Sequence, residues 1–203
     1  MKKFEFTGET KTIYVLSRTV TLHRIKAVVE FGLVKAGELG GWIEKEENLS
    51  HKGNAWVGDN AQVRGNAQVR GNAWVGDNAQ VRDNAWVRGN AQVRGNAQVR
   101  DNAWVGDNAW VGDNAWVRGN AQVGGNAHVF STRHVLVIGA IGSRDAFTTF
   151  YRDKDNEITV KCGCFSGKID KFLEKVAQTH GDSKYAQVYK KAVELAKLQI
   201  LTG

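Results

Sequence analysis

Gly53-Asn54-Ala55-Trp56-Val57-Gly58 is followed at once by Asp59-Asn60-Ala61-Gln62-Val63-Arg64, and the same six-residue unit continues without a break to Phe130. All thirteen copies carry Asn, Ala and Val at the second, third and fifth places and Gly or Asp at the first, while the fourth and sixth places vary. Helical repeats and propeller blades need units of roughly 20 to 50 residues, so a period of six belongs to a parallel β-helix. Each copy then supplies one short strand and one corner. Within Ala-x-Val the pleat sends Ala55 and Val57 inward and Trp56 outward. The Gly/Asp-Asn pair supplies corner residues that tolerate left-handed backbone. Three corners close a coil of 18 residues, and thirteen copies make a little over four coils, stacked at roughly 4.8 Å.

An aliphatic residue every six positions, with a small residue two places before it, resembles the left-handed hexapeptide-repeat β-helix family. Ala55 and Val57 through Ala127 and Val129 carry that pattern in every copy. The resemblance implies an all-β solenoid, a left-handed parallel β-helix with three hexapeptides per coil. It also implies a homotrimer and, in the enzymes of the family, acyl-CoA held between subunits with a His as general base.

Three regions follow from the pattern. Residues 1–52 read as an irregular N-terminal cap with degenerate coils, because Ile25, Phe31 and Leu39 lie 18 positions before Ile43, Leu49 and Val57. Residues 53–130 are the regular array. Residues 131–203 read as a small α+β domain of βββαα order. Its strands are expected at His134–Ile141, Ala146–Arg152 and Glu157–Cys164. A first helix is expected from the stripe Ile169, Phe172, Leu173, Val176 and Ala177, with Ser166 as N-cap and Gly181 as stop. A second fits Tyr185, Val188, Tyr189, Ala192 and Ala196. The stretch Leu39-Gly40-Gly41-Trp42-Ile43-Glu44, the array and Cys162-Gly163-Cys164-Phe165 together are similar to bacterial and phage hexapeptide-repeat proteins that are assigned as acyltransferases by fold alone.

The net charge of +7 is spread unevenly, with +2 on residues 1–52, +1 on the array and +4 on residues 131–203. Only the last region keeps nucleic-acid binding in play, and weakly. The start MKKFEF has no signal-like apolar run, and the longest apolar stretch, Val135–Ile141, is too short for a membrane span. The expectation is a cytoplasmic protein that does not enter membranes. Cys162 and Cys164, the two cysteines, are too close for an ordinary structural disulfide, which suits a reducing compartment.

An 18-residue period places Trp56, Trp74 and Trp110 on one face, Trp86 and Trp104 on a second and Trp116 on the third. Aromatic ladders of this extent on a surface point to an interface or a ligand. Arg64, Arg82, Arg100 and Arg118 form a second ladder on one face. Asp83 and Asp101 beside it, with Asp59, Asp77 and Asp113 at the preceding corner, can compensate its charge. The simpler reading is a solvated surface of alternating sign; the functional reading is an anion gripped by Arg forks flanked by Trp.

His128, the one His inside the array, is the general-base candidate if the chain is an acyltransferase. His134 opens a strand without a visible partner. In the C-terminal domain, Ser143, Arg144 and Thr148, with Thr149, stand at or beside a glycine-containing turn and are candidates to receive an anion. Cys162, Cys164 and His180 make only a weak zinc motif, so no metal is expected. The reading that follows is a non-enzymatic binding or scaffold protein, associated with phage or mobile elements. It would use the Trp, Gln and Arg ladders to assemble a homotrimer and to capture a host protein or small anionic ligand. No cofactor is expected, acyl-CoA being the exception if the chain is an acyltransferase. Nucleic-acid binding through the basic C-terminal domain is the third reading.

Overall fold

The computed structural model describes residues 2–15 and 18–201 of the 203-residue chain. Three strands precede the array: β1 (Phe4–Val15), β2 (Arg18–Ala27) and β3 (Leu39–Ile43). Each copy then adds a two-residue strand at its fourth and fifth places, from β4 (Trp56–Val57) to β16 (His128–Val129). Strands one coil apart pair in parallel, with Trp56 opposite Trp74, Gln62 opposite Gln80 and Gln68 opposite Trp86. The product is a three-faced β-solenoid. Every Ala and Val of the array, from Ala55 to Val129, is fully buried, so the core consists of small side chains stacked in register. Burying each Val is worth roughly 1.5–3 kcal/mol.

The corners refine the sequence reading. Only the first place of each copy takes positive φ, as at Gly53 (69°), Asp59 (52°) and Asp101 (60°), and the Asn that follows does not. Aspartate is uncommon there, and a hydrogen bond helps hold it. The carboxylates of Asp77, Asp101 and Asp107 each accept the amide N–H of a residue one coil later at 2.8 Å. The Asn side chains do a separate job, donating amide to amide along the axis from Asn72 to Asn90 and from Asn90 to Asn108 at 3.0 Å.

Each coil donates the amides of its fourth, sixth and second places forward, as from Trp56 N to Ala73 O, from Gly58 N to Val75 O and from Asn60 N to Asp77 O. The first coil therefore presents unused carbonyls and the last coil unused amides, which must find partners. At the N-terminal end the caps are donors. Lys3 Nζ donates to Ala55 O at 2.6 Å and to Gly53 O at 3.3 Å, and the buried Asn48 amide donates to Gly65 O and Ala67 O. At the C-terminal end they are acceptors. Thr132 Oγ1 takes the Trp116 N–H, Thr149 Oγ1 that of Gln122, and His134 Nδ1 that of Phe130. The Tyr151 side chain is buried in the core of the solenoid.

The N-terminal region departs from the expected degenerate coils. β1 and β2 form an antiparallel hairpin, and β2 pairs antiparallel with β3, which then runs parallel to β5 (Gln62–Val63). Ile25 does reach the core and Phe31 packs against it, but Leu39 is exposed. The first coil is also longer than the three-hexapeptide coils of the array, since Ile43 pairs with Val63 and Leu49 with Val69. Gly40 and Gly41 let β3 cross tightly over that coil. A Cβ at Gly40 would lie 2.6 Å from the Trp56 ring, and one at Gly41 2.6 Å from Ala61 O. Trp56 itself is fully buried, not outward to solvent, because this cap lies over it.

The C-terminal domain has four strands instead of the expected three. β17 (Val135–Ile141), β18 (Ala146–Arg152), β19 (Ile158–Cys162) and β20 (Phe165–Lys168) form an antiparallel sheet. α1 (Ile169–His180) and α2 (Lys184–Leu201) pack on it through Phe172, Val176, Tyr189, Val193 and Ala196. The expected third strand breaks at Gly163 (φ 57°), a hairpin turn. Cys164 consequently sits exposed in that turn, not beside Cys162 on a strand face. Ser166 lies within β20, and Lys168 is the N-cap of α1; Gly181 ends the helix as expected, its N–H reaching Ala177 O. Val188, expected on the apolar stripe of the second helix, is exposed. His134 lies in a short 3-10 turn before β17, buried and bonded, contrary to the unpartnered strand residue expected. Among the described residues no helix is long and apolar enough to cross a membrane.

Candidate functional site

The sixth places of four copies put Arg64, Arg82, Arg100 and Arg118 on one face, each a coil apart along strands that pair in register. Arg64 is only 8% exposed, and the Nε atoms of Arg64, Arg82 and Arg100 are buried without an acceptor. One carboxylate contact reaches the ladder among the described residues, Asp83 Oδ2 at 3.5 Å from Arg82 Nη1. The expected compensation by aspartates is thin because those carboxylates are engaged by backbone. Asp83 Oδ2 accepts from Asp101 N, Asp101 Oδ2 from Gly119 N, and Glu44 Oε2 from Gly65 N. Burial, then the neighbouring Arg82 charge, lowers the pKa of Arg64. Unit charges one strand spacing apart repel by about 1–3 kcal/mol in a surface setting.

Beside the arginines runs a row of half-buried glutamines, Gln62, Gln80 and Gln98, closed at each end by a tryptophan. Trp42 lies under Lys11 and Arg24, at 4.2 and 5.2 Å from the ring. Trp116 lies between Arg100 and Arg118, at 5.2 and 5.8 Å. At the Trp116 end the C-terminal domain completes a cleft of about 830 Å³, whose walls include Arg118, Arg133, Val137 and Phe147. Sequence reasoning missed Arg133 and Phe147, since no repeat ties them to the ladder.

On the second face Trp86 and Trp104 stack with arginines of the preceding coil, Arg70 at 5.4 Å and Arg88 at 4.7 Å. That pairing was legible in principle, because the sixth place of one copy falls just under one coil before the fourth place it covers. On the third face Trp74, Gln92, Trp110 and His128 line up in register. Gly76 makes room for the Trp74 indole, to whose Nε1 a Cβ would come within 2.7 Å. Trp110 meets Phe130 at 5.4 Å and His128 at 5.8 Å, both edge-on. The His128 imidazole contacts these rings and has no carboxylate partner among the described residues.

The anion candidates of the C-terminal domain separate. Ser143 and Arg144 border a cavity of about 310 Å³, whereas Thr148 is fully buried and donates to Cys162 Sγ at 3.2 Å. Thr149 is bound to the end of the solenoid. Among the described residues no three His, Cys, Asp or Glu side chains converge as a metal site.

Fold and surface together define a β-solenoid with a capped end and a laddered Arg/Gln/Trp face. No protein-family model matches the chain, and no curated protein matches it.

Proposed function

We propose that the chain is a binding protein whose Arg64–Arg118 face captures an acidic protein segment, continued into the cleft at Trp116. The observation that carries this reading is a row of guanidinium groups with buried, unpaired Nε atoms at Arg64, Arg82 and Arg100. Charge repulsion along the row is relieved when carboxylates lie across it and bond the outer guanidinium nitrogens, and Arg–carboxylate bonds are among the stronger polar contacts. The flanking glutamines and Trp116 supply hydrogen bonds and a flat apolar stop. With the resemblance to bacterial and phage hexapeptide-repeat proteins, we take the partner to be a host protein met inside the cell.

Calorimetric titration with a glutamate octapeptide at low salt tests the reading. R82Q/R100Q is expected to weaken binding by at least about tenfold, equal to 1.4 kcal/mol. K190Q/K197Q removes the same charge from the C-terminal domain and is expected to leave the affinity within about twofold. Equal losses in both variants would reduce the ladder to part of a general positive field. Tighter, steeply salt-dependent binding of an RNA octamer would replace the acidic segment with nucleic acid.

A homotrimer belongs to the same proposal, built on the face of Trp74, Trp110, His128 and Phe130. It is the array face with a single arginine, Arg94, so like charges oppose its self-association least. Sedimentation is expected to give three times the 22.4 kDa chain mass, with Trp110→Ala shifting it to the monomer. A monomeric unsubstituted protein would leave that face free and end the assembly proposal. The acyltransferase reading has less support, because an active general base is held by an orienting partner and the His128 imidazole has ring contacts alone among the described residues.

A further inference from the structure

The cavity of about 310 Å³ in the C-terminal domain is built by four separate pieces of chain: the turn Gly142–Asp145, the hairpin turn at Gly163, α1 and α2. We propose that it binds a small organic anion, a phosphate or carboxylate carrying a flat ring. The ring would lie on the aromatic wall and the anionic group would sit between Arg144 and Lys175.

The wall is continuous. Phe172 meets Phe165 and Tyr189 at 5.4 Å, and Tyr189 stacks on His180 at 5.9 Å. Such surfaces favour a planar guest. The rim is cationic and uncompensated. Lys154, Lys168, Lys171 and Lys191 in the same domain each hold a carboxylate, but Arg144 and Lys175 hold none among the described residues.

Behind the wall is an unused donor. Tyr189 is 6% exposed, and its hydroxyl oxygen accepts only a long contact from the Cys162 thiol, 3.8 Å away. Apart from that long sulfur contact, its own O–H reaches no acceptor among the described residues. Thr148 donates to the same sulfur at 3.2 Å, the shorter of the two contacts. Burial, then the thiol contact, pushes the Tyr189 pKa up to about 12, which keeps the phenol a donor throughout the neutral range.

The backbone is shaped around this group. Gly142 lies at φ 79°, and any Cβ there would fall 1.9 Å from Tyr189 Oη. The turn therefore closes onto the phenol, and its Ser143 and Arg144 line the cavity. A volume at the small end of known ligand sites, about 300–1,000 Å³, sets the size of the guest. This site is remote in sequence from the arginine ladder, and its test fails or succeeds separately.

The probe is phenyl phosphate, titrated calorimetrically against benzyl alcohol and inorganic phosphate. Iodoacetamide labelling of Cys162, resolved from Cys164 by peptide mass, gives a second readout. Phenyl phosphate is expected to bind saturably and to slow labelling of Cys162. R144Q and K175Q, both at exposed positions, are each expected to weaken it by about tenfold, and Y189F by less. Glutamate-octapeptide binding is expected to be unchanged in R144Q. The proposal is overturned if benzyl alcohol binds as tightly as phenyl phosphate, if R144Q and K175Q leave affinity unchanged, or if phenyl phosphate neither binds nor protects Cys162.

Discussion

Trp56→Ala is expected to lower the unfolding free energy by about 3–5 kcal/mol, the cost of removing a fully buried large aromatic. Trp56 occupies the same fourth place as Trp86, yet the two side chains live in different solvents. Trp56 is sealed by Phe31, whose ring meets it edge-on at 5.5 Å, and by Gly40, whose missing Cβ leaves room for its ring. Trp86 is 39% exposed and carries Arg70 on its face. Trp86→Ala is accordingly expected to cost about 1 kcal/mol or less, mostly a surface cation–π contact. Urea unfolding of both variants separates the cases. Because a solenoid can fray from one end, hydrogen exchange should show protection in Trp56→Ala lost first over Phe4–Ala27. Equal, small losses at both tryptophans would mean that the cap does not close on Trp56.

Lys3→Met is expected to cost about 1–3 kcal/mol, the penalty for stranding buried carbonyls. It removes the donor that Ala55 O and Gly53 O share, together with the ammonium 4.6 Å from the Phe31 ring. The lysine also leaves a signature in pH. Burial lowers its pKa from 10.5 to about 8. The folded protein thus releases this proton first, and unfolding between pH 8 and 10.5 takes one up. The Lys3 contribution makes stability rise across that window and has no slope below it. The neutral amine still has hydrogens for both carbonyls, so the cap survives deprotonation. Denaturant midpoints measured from pH 7 to 10.5 should show this rise in the parent protein and its absence in Lys3→Met. A parent-minus-variant difference that falls across the window would mean that the ammonium is stabilised, not penalised, by its site.

The outward residues show how far a surface can be read from a repeat. The register of Trp74, Trp86, Trp104, Trp110 and Trp116 follows from counting by 18, as does the arginine ladder. What each side chain experiences does not follow. The aspartates beside the ladder looked like its counter-charges, yet Asp83 and Asp101 spend oxygens on backbone amides one coil away. Counting gave their position, while the positive φ at the corner decided what they bond. In the C-terminal domain, Ser143 and Arg144 were legible as a pair near a turn. Their neighbours across the cavity, Lys175, His180 and Tyr189, come from helices and were not.

The solenoid, its three faces and its Ala/Val core were legible in the repeat, because every interaction that defines them recurs once per coil along the array and Ala and Val meet Ala and Val each time. How the ends are closed and which outward positions are covered came from contacts between segments far apart in the chain. Lys3 reaches Ala55 across 52 residues, Gln122 finds Thr149 across 27, and Trp56 is buried by Phe31 and by β3 crossing at Gly40, a segment that carries no repeat. Such contacts are made once, between unlike segments, and leave no period to count. The direction of the backbone hydrogen bonds demands donors at one end and acceptors at the other; the fold alone selects the side chains that meet the demand.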